Sequence, residues 1–241
     1  MIEAFNEPRR IDRVLDHLSV TVVFEPRAIL SPDTQSTLSR EVMQVVRHTS
    51  GRSDIDEEEI VPYLFGEAGR GKVLAFIKDG DQVKAFAAGQ FLNDGVRPLQ
   101  FDGGTVFHVS TVHTVPGLVV DGGITLMKEI YDCLPSKPSH ISAFTQSPRV
   151  YEYVKFLARG RVFPNPVGDS PENLATVYAQ IVDFLGFKGE VDGGVFRRKI
   201  KGSFYSEVQL ARNTNINRWF YESIRMNPTE GDLLLLLAKI N

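Results

Sequence analysis

The run from Thr105 to Lys155, TVFHVSTVHTVPGLVVDGGITLMKEIYDCLPSKPSHISAFTQSPRVYEYVK, constrains the fold more than any other part of the chain. It opens with a β-rich stretch, Thr105 to Val115, that is stopped by Pro116-Gly117; after a short apolar loop, Gly122-Gly123 begins a segment of helical period. Ile124, Met127, Ile130, Tyr131 and Leu134 recur three and four residues apart, which predicts a helix with one apolar face laid on a sheet. Pro135 and Pro138 end it. A second strand is expected over His140 to Thr145, then a helix with Ser147 as N-cap and Pro148 at its first position, where a missing N–H costs nothing. A strand–helix–strand crossover of this kind pairs its two strands in parallel.

The remainder reads as helices and strands around that crossover. Residues 8–18 carry Ile11, Val14, Leu15 and Leu18 at helical spacing and predict a short helix; Val20 to Phe24 is a strand closed by Pro26. A helix starts at Ser31-Pro32-Asp33 and buries Leu38, Val42, Val45 and Val46, and the acidic run Asp54 to Glu59 opens another, with Asp54 and Glu57 at capping-box spacing. Lys72 to Ile77 and Val83 to Phe91 flank the hairpin signal Lys78-Asp79-Gly80-Asp81-Gln82; Asn93-Asp94-Gly95 makes a further turn, and Gly103-Gly104 precedes the long strand. Strands joined by tight turns form an antiparallel meander that feeds the crossover. The expected fold class is therefore α/β (α+β): a mixed sheet, meander first and parallel crossover second, with helices on both faces.

Past Lys155, short strands are expected over Arg161 to Pro164 and Val195 to Ile200. Helices are expected from Ser170-Pro171-Glu172 through Leu174, Val177, Ile181 and Leu185, and over Asn215 to Met226, with Leu233 to Ile240 as the last strand. No linker or repeat interrupts the chain, so residues 1–241 are read as one domain, with a core at about 18–165 and a C-terminal extension at about 166–241.

Composition excludes several classes. The net charge of −3 gives no field that would gather nucleic acid or anionic lipid, and no apolar run approaches the roughly eighteen residues of a membrane span. The single cysteine, Cys133, can form no internal disulfide or Cys-rich metal site, and neither His/Asp/Glu ligand spacing nor a Gly-x-Ser-x-Gly element is present. The opening residues MIEAFNEPRR lack the apolar segment of a secretory signal, so the expected setting is cytoplasmic, with no metal, no nucleic acid and no membrane partner.

The crossover resembles the GNAT superfamily of N-acetyltransferases. Val112-His113-Thr114-Val115-Pro116 stands where that family's long fourth strand ends in a Val-x-Pro-like signal, and Gly122 stands where the first glycine of its phosphate-binding loop falls. Gln146 takes the place of the family's Asn, with Tyr153 and Lys155 following at the Tyr-x-Lys positions. The likeness covers residues 72–156. It departs at the loop, where Val119 and Ile124 replace a basic or amide residue and a small one, and Leu118 and Val120 make the surroundings apolar.

The resemblance implies acyl transfer from acetyl-CoA or another acyl-CoA to a small-molecule or peptide amine. Carried over residue by residue, cofactor binding falls to Val112, Thr114, Val120, Asp121, Gly122, Gly123, Ile124, Gln146 and Arg149, and the thiolate-protonating role to Tyr153, with Tyr151 as its neighbour in an adjacent register. His113 or His108 could accept the amine proton; they lie an odd number of residues apart, so an unbroken strand points them to opposite faces and a bulge between them would change that. Backbone N–H groups at the start of the Gly122 helix suit pyrophosphate, and on that reading Gly122→Val weakens coenzyme binding and leaves thermal stability nearly unchanged. The basic stretch Arg197-Arg198-Lys199-x-Lys201 reads as a solvated strand end, or as a contact for a nucleotide phosphate. Two alternatives stay open: a GNAT-like fold kept for ligand binding or interaction without the chemistry, and an acyltransferase with a longer acyl-CoA or an acyl carrier protein as donor. The extension could cover the sheet, shape the acceptor pocket or form a homodimer contact.

Overall fold

The structure, a computed structural model, describes residues 7–50, 56–66, 71–93, 99–101, 104–118, 120–166, 172–186, 191–192, 194–200, 202–205 and 207–240. Asp54, Asp94, Gly95, Gly103, Val119, Ser170, Pro171 and Lys201, singled out above, lie outside them. Contacts divide the chain into two compact units, Met1–Leu99 with Phe107–Lys137, and Gln100–Val106 with Pro138–Asn241.

The first unit begins with a hairpin of β1 (Arg9–Leu15) and β2 (Leu18–Phe24), followed by α1 (Pro26–Ile29), α2 (Pro32–Ser50) and α3 (Glu57–Phe65). Then come β3 (Lys72–Asp79) and β4 (Gln82–Phe91). β5 (Gln100–Phe101) and the first residues of β6 (Gly104–Thr114) belong to the second unit; β6 continues into the first, which closes with α4 (Gly122–Cys133). Strands β1, β2, β3, β4 and β6 pair in that order, all antiparallel. On one face Val23, Leu74, Phe76, Phe86 and Ala88 pack with Leu38, Val42, Val45 and Val46 of α2 and with Leu64 and Phe65 of α3. Helix α4 covers β2, β3 and β4 from the other.

The short helix expected over residues 8–18 is instead the strand β1. Ile11, Val14 and Leu15 do recur at helical spacing, but Val14 is 75% exposed and of the stripe only Leu18 is buried. What holds the segment is the ladder to β2, from Arg9↔Phe24 to Leu15↔Leu18, closed by a two-residue turn in which Asp16 has φ 56. Arg10 and Asp12, two residues apart and so on the same side of the strand, pair with each other at 2.9 Å.

In the second unit β7 (His140–Thr145) follows the crossover, then α5 (Pro148–Leu157), β8 (Val162–Phe163), α6 (Glu172–Phe184), β9 (Val191–Asp192) and β10 (Val195–Phe196). Helix α7 (Thr214–Arg218) runs on into a wider turn over Trp219–Ser223, and β11 (Leu233–Lys239) ends the order. Thr105 O, near the start of β6, accepts from both Ser139 N (3.1 Å) and Ser139 Oγ (3.0 Å), which sets β6 beside β7 as the one parallel pair among the described strands. Gly104 permits this approach, since a Cβ there would lie 1.8 Å from Ser139 Oγ. β11 lies antiparallel to β7, with Leu234↔Thr145 through Lys239↔His140, and its apolar run is wholly buried up to Ala238. The strand expected over Val195 to Ile200 is only two residues long, because the chain turns away at Arg198, φ 51. Among the described residues no helix is long and apolar enough to cross a membrane.

Candidate functional site

Strand β6 carries the candidate residues of the first unit, and its geometry is set by one irregularity. Ala88 lies opposite Thr111 but Gly89 lies opposite Val109, so Ser110 is an extra residue with no partner on β4. Gly89 makes room: a Cβ there would lie 2.6 Å from the Phe107 ring and 2.8 Å from His108 O. The bulge reverses the side-chain parity along the strand. His108, Thr111 and His113 stand opposite Gln90, Ala88 and Phe86, and therefore share the face covered by α2 and α3. Val112 and Thr114 stand opposite Ala87 and Ala85, on the α4 face.

Both histidines are buried and neutral. His113 shares a 2.8 Å hydrogen bond between Nδ1 and Thr49 Oγ1 of α2, and its ring stacks on Phe86 with centroids 5.2 Å apart. Burial takes its pKa down to about 4. His108 is also lowered to about 4, by burial first and then by the positive charge of Lys72. Lys72 opens β3 opposite Gln90, is 3% exposed, and has its ammonium 3.5 Å from Ser110 Oγ; burial lowers its pKa to about 8. Glu25, buried in a left-handed conformation at φ 52, fixes the start of β3 by accepting from the Gly71 and Lys72 amides. A lysine and a histidine thus lie beside the bulge, both shifted toward their neutral, proton-accepting forms.

Where β6 ends, Gly122 packs directly on it: a Cβ would fall 2.7 Å from Thr114 Cγ2 and 3.0 Å from Ala85 Cβ. Helix α4 is capped by Asp121, whose carboxylate accepts from Ile124 N at 3.3 Å. Gly122 and Gly123 are buried, while Val120 and Ile124 are half-buried. The amides of Gly122 and Gly123 have no intrahelical acceptor and are available to an anion, but the exposed Asp121 carboxylate already sits at the positive end of the helix. Residues and pyrophosphate therefore fit in backbone donors and not in local charge.

Three further candidates stand in the second unit. Gln146 is fully buried and its amide stitches the chain: Nε2 donates to Asp232 O at 3.0 Å, Pro228 O at 3.3 Å and Gly202 O at 3.4 Å, and Oε1 accepts from Phe204 N at 2.6 Å. On α5, capped by Ser147 Oγ as expected, Arg149 donates to Tyr153 Oη at 2.7 Å and to Glu152 Oε2 at 2.6 Å. Its guanidinium lies over the Tyr153 ring, 4.4 Å from the centroid. Tyr151 is buried against Trp219 and Phe220 and donates to Pro164 O at 3.0 Å; burial pushes its phenol well up. Of the two tyrosines, Tyr153 is the half-exposed one.

The candidates thus gather as His108 and His113 on one face of β6, Thr114 against Gly122, and Arg149 with Tyr153. Sequence reasoning passed over Lys72, Ser110, Thr49 and Glu25. Lys72 heads a run of apolar strand residues, the one place in that run where a charge must be buried, and that was the available signal. Among the described residues no group of His, Cys, Asp and Glu could hold a metal ion.

No family model matches the chain, and no curated protein matches it. Among solved structures, the ribosomal-protein-S18-alanine N-acetyltransferase from Escherichia coli is 10% identical, over 92% of this chain and 94% of that one, with a TM-score of 0.40. FeeM, an N-acyl amino acid synthase from uncultured soil microbes, is also 10% identical, over 97% and 92%, with a TM-score of 0.40. An aminoglycoside acetyltransferase from an uncultured soil metagenomic sample, in complex with sisomicin, is 10% identical over 65% and 93%, again with a TM-score of 0.40.

Proposed function

We propose that this chain is a divergent GNAT-type N-acyltransferase that moves an acyl group from an acyl-CoA, acetyl-CoA first among them, to an amine on a small molecule or peptide. The observation that carries the reading is the bulge at Ser110 in a long strand whose end packs on the Gly122 start of α4. A bulge leaves backbone N–H and C=O groups outside the ladder, where they can grip an extended pantetheine arm and polarise a thioester carbonyl. The Gly122 and Gly123 amides supply donors for the pyrophosphate. His108, beside the bulge, and His113 are the neutral groups assigned to take the proton of an incoming ammonium, and Lys72, largely charged at pH 7, joins them only as pH rises through about 8. In the second unit, Tyr153, whose hydroxyl accepts from Arg149, carries the thiolate-protonating role as the family resemblance implies it. When bound, the thioester supplies the acyl group and the leaving sulfur; attack by the amine nitrogen forms the new C–N bond as the C–S bond breaks.

Calorimetric titration with acetyl-CoA and with CoA tests the donor. Heat saturating in the micromolar to millimolar range is expected, and the reading is lost if neither produces any. Thiol release in the presence of an amine panel then tests transfer.

The Asp121 carboxylate favours a second reading, a fold of this type that binds a ligand without transferring from CoA. Asp121→Asn separates the two. If pyrophosphate docks at α4, removing the charge tightens CoA binding by about 0.3–1 kcal/mol, whereas a chain that does not use that site is indifferent.

A further inference from the structure

The basic stretch after β10 takes part in none of the groupings above, and the fold gives it a definite shape. Arg197 and Asp232 form an ion pair at 2.6 Å, with the Asp232 carboxylate only 4% exposed. Asp232 also accepts from the amides of Arg198 (3.1 Å) and Asn227 (3.0 Å), and Arg197 donates to the carbonyls of Ile224 and Arg225, both at 2.8 Å. One pair thereby clamps two segments, 197–198 and 224–227. Each passes through the left-handed region at an arginine, Arg198 at φ 51 and Arg225 at φ 49, where glycine would be the unstrained choice.

Both arginines reach the same cleft, of about 420 Å³, lined by Arg197, Arg198, Arg225, Asn227, Glu230 and Asp232. That volume suits a small molecule. Asp232 is consumed by its clamp, and Glu230 meets Arg198 at 3.4 Å across solvent, with the two side chains 54% and 77% exposed. Arg225 has no acidic partner among the described residues. A guanidinium whose backbone is held in a strained conformation by a buried ion pair, facing a cleft that also holds a second guanidinium, is arranged for a planar, forked acceptor.

We propose that this cleft is an oxyanion site, in which Arg198 and Arg225 hold the phosphate or carboxylate group of a small molecule while Glu230 competes with it for Arg198. The site does not depend on the acyltransferase reading.

The test is calorimetric titration of the full chain at constant ionic strength with inorganic phosphate in one arm and succinate in the other; the tighter arm identifies the source of the oxyanion. Saturable binding in at least one arm is expected. Arg198→Gln and Arg225→Gln should each weaken it about fivefold or more, and Glu230→Gln should strengthen it about threefold. Arg225→Gly provides the control on folding: binding falls while Tm stays level or rises by about 1–3 °C, because glycine adopts φ near +50° without strain. No binding in either arm overturns the proposal. So does equal binding in the arginine variants, an unchanged or weakened affinity in Glu230→Gln, or a Tm loss in Arg225→Gly that accounts for its loss of binding.

Discussion

Buried polar groups serve differently around β11 and under α2 and α3. Around β11, buried polar groups are stitches: Asp232 joins Arg197 and two amides, and Gln146 ties four backbone positions; the half-buried Glu152 likewise joins Arg149 to the amides of Arg212 and Asn213. Under α2 and α3, Lys72 meets a single hydroxyl at 3.5 Å, and two histidines are desolvated far enough to lose their charge. Stitching groups fix loops that have little apolar area of their own. Desolvated, proton-accepting groups oppose folding, and their place beside a strand bulge is what the proposed site rests on.

Asp232→Ala should produce the largest effect, a loss of about 3–5 kcal/mol in urea denaturation, since it strands the Arg197 guanidinium and two amides together. A loss under about 1 kcal/mol would erase the contrast. Next comes acid. Because His108 and His113 have folded pKa values near 4 against 6.5 for the free side chain, the unfolded chain binds more protons between those limits. Stability is whole above pH 6.5 and is lost as pH falls toward 4, by about 2–3 kcal/mol per histidine. His113→Phe should flatten that slope by about half, as read from Tm against pH.

Gly122→Val is expected to cost about 1–3 kcal/mol, because its Cβ would lie 2.7 Å from Thr114 and 3.0 Å from Ala85. This corrects the sequence-based expectation of unchanged thermal stability: the glycine serves packing whether or not it also serves an anion. Lys72→Met should raise stability at pH 7 by about 1–2 kcal/mol, the smallest of these effects. In the parent, the Lys72 ammonium is disfavoured in the folded state, so stability should climb as pH rises from about 8 toward 10.5, and the variant should lack that climb. A variant less stable than the parent at every pH would show that Lys72 is a stitch as well.

The crossover was legible because periodicity, glycine and proline agree there: β6, α4, β7 and α5 start and stop within a residue or so of where Gly122, Pro135, Ser147 and Pro148 direct them. β1 was not legible, because an exposed hairpin arm is held by its partner strand and its few apolar residues fell into helical spacing by chance. β10 was cut short by Asp232, more than thirty residues away, which catches the chain at Arg198. For the site, residue types were legible and surroundings were not. Nothing local to Gln146 announces four long-range backbone partners, and nothing in the sequence around Lys72 states how deeply β3 would bury it.

The bulge at Ser110 has one more consequence. A strand is a two-beat rhythm, and an unpaired residue inserts half a period, so everything downstream is heard in opposite phase. With Ser110 instead paired opposite Ala88 in a regular ladder, Thr111 and His113 would fall opposite Ala87 and Ala85 and turn to the α4 side, while Val112 and Thr114 turned to the side of α2. Thr49 would lose its imidazole, Phe86 its stacked ring and Gly122 the threonine on which it rests. Which side chains face which helix along the last third of β6 is thus written not in their own identities but in the position of a single uncounted serine.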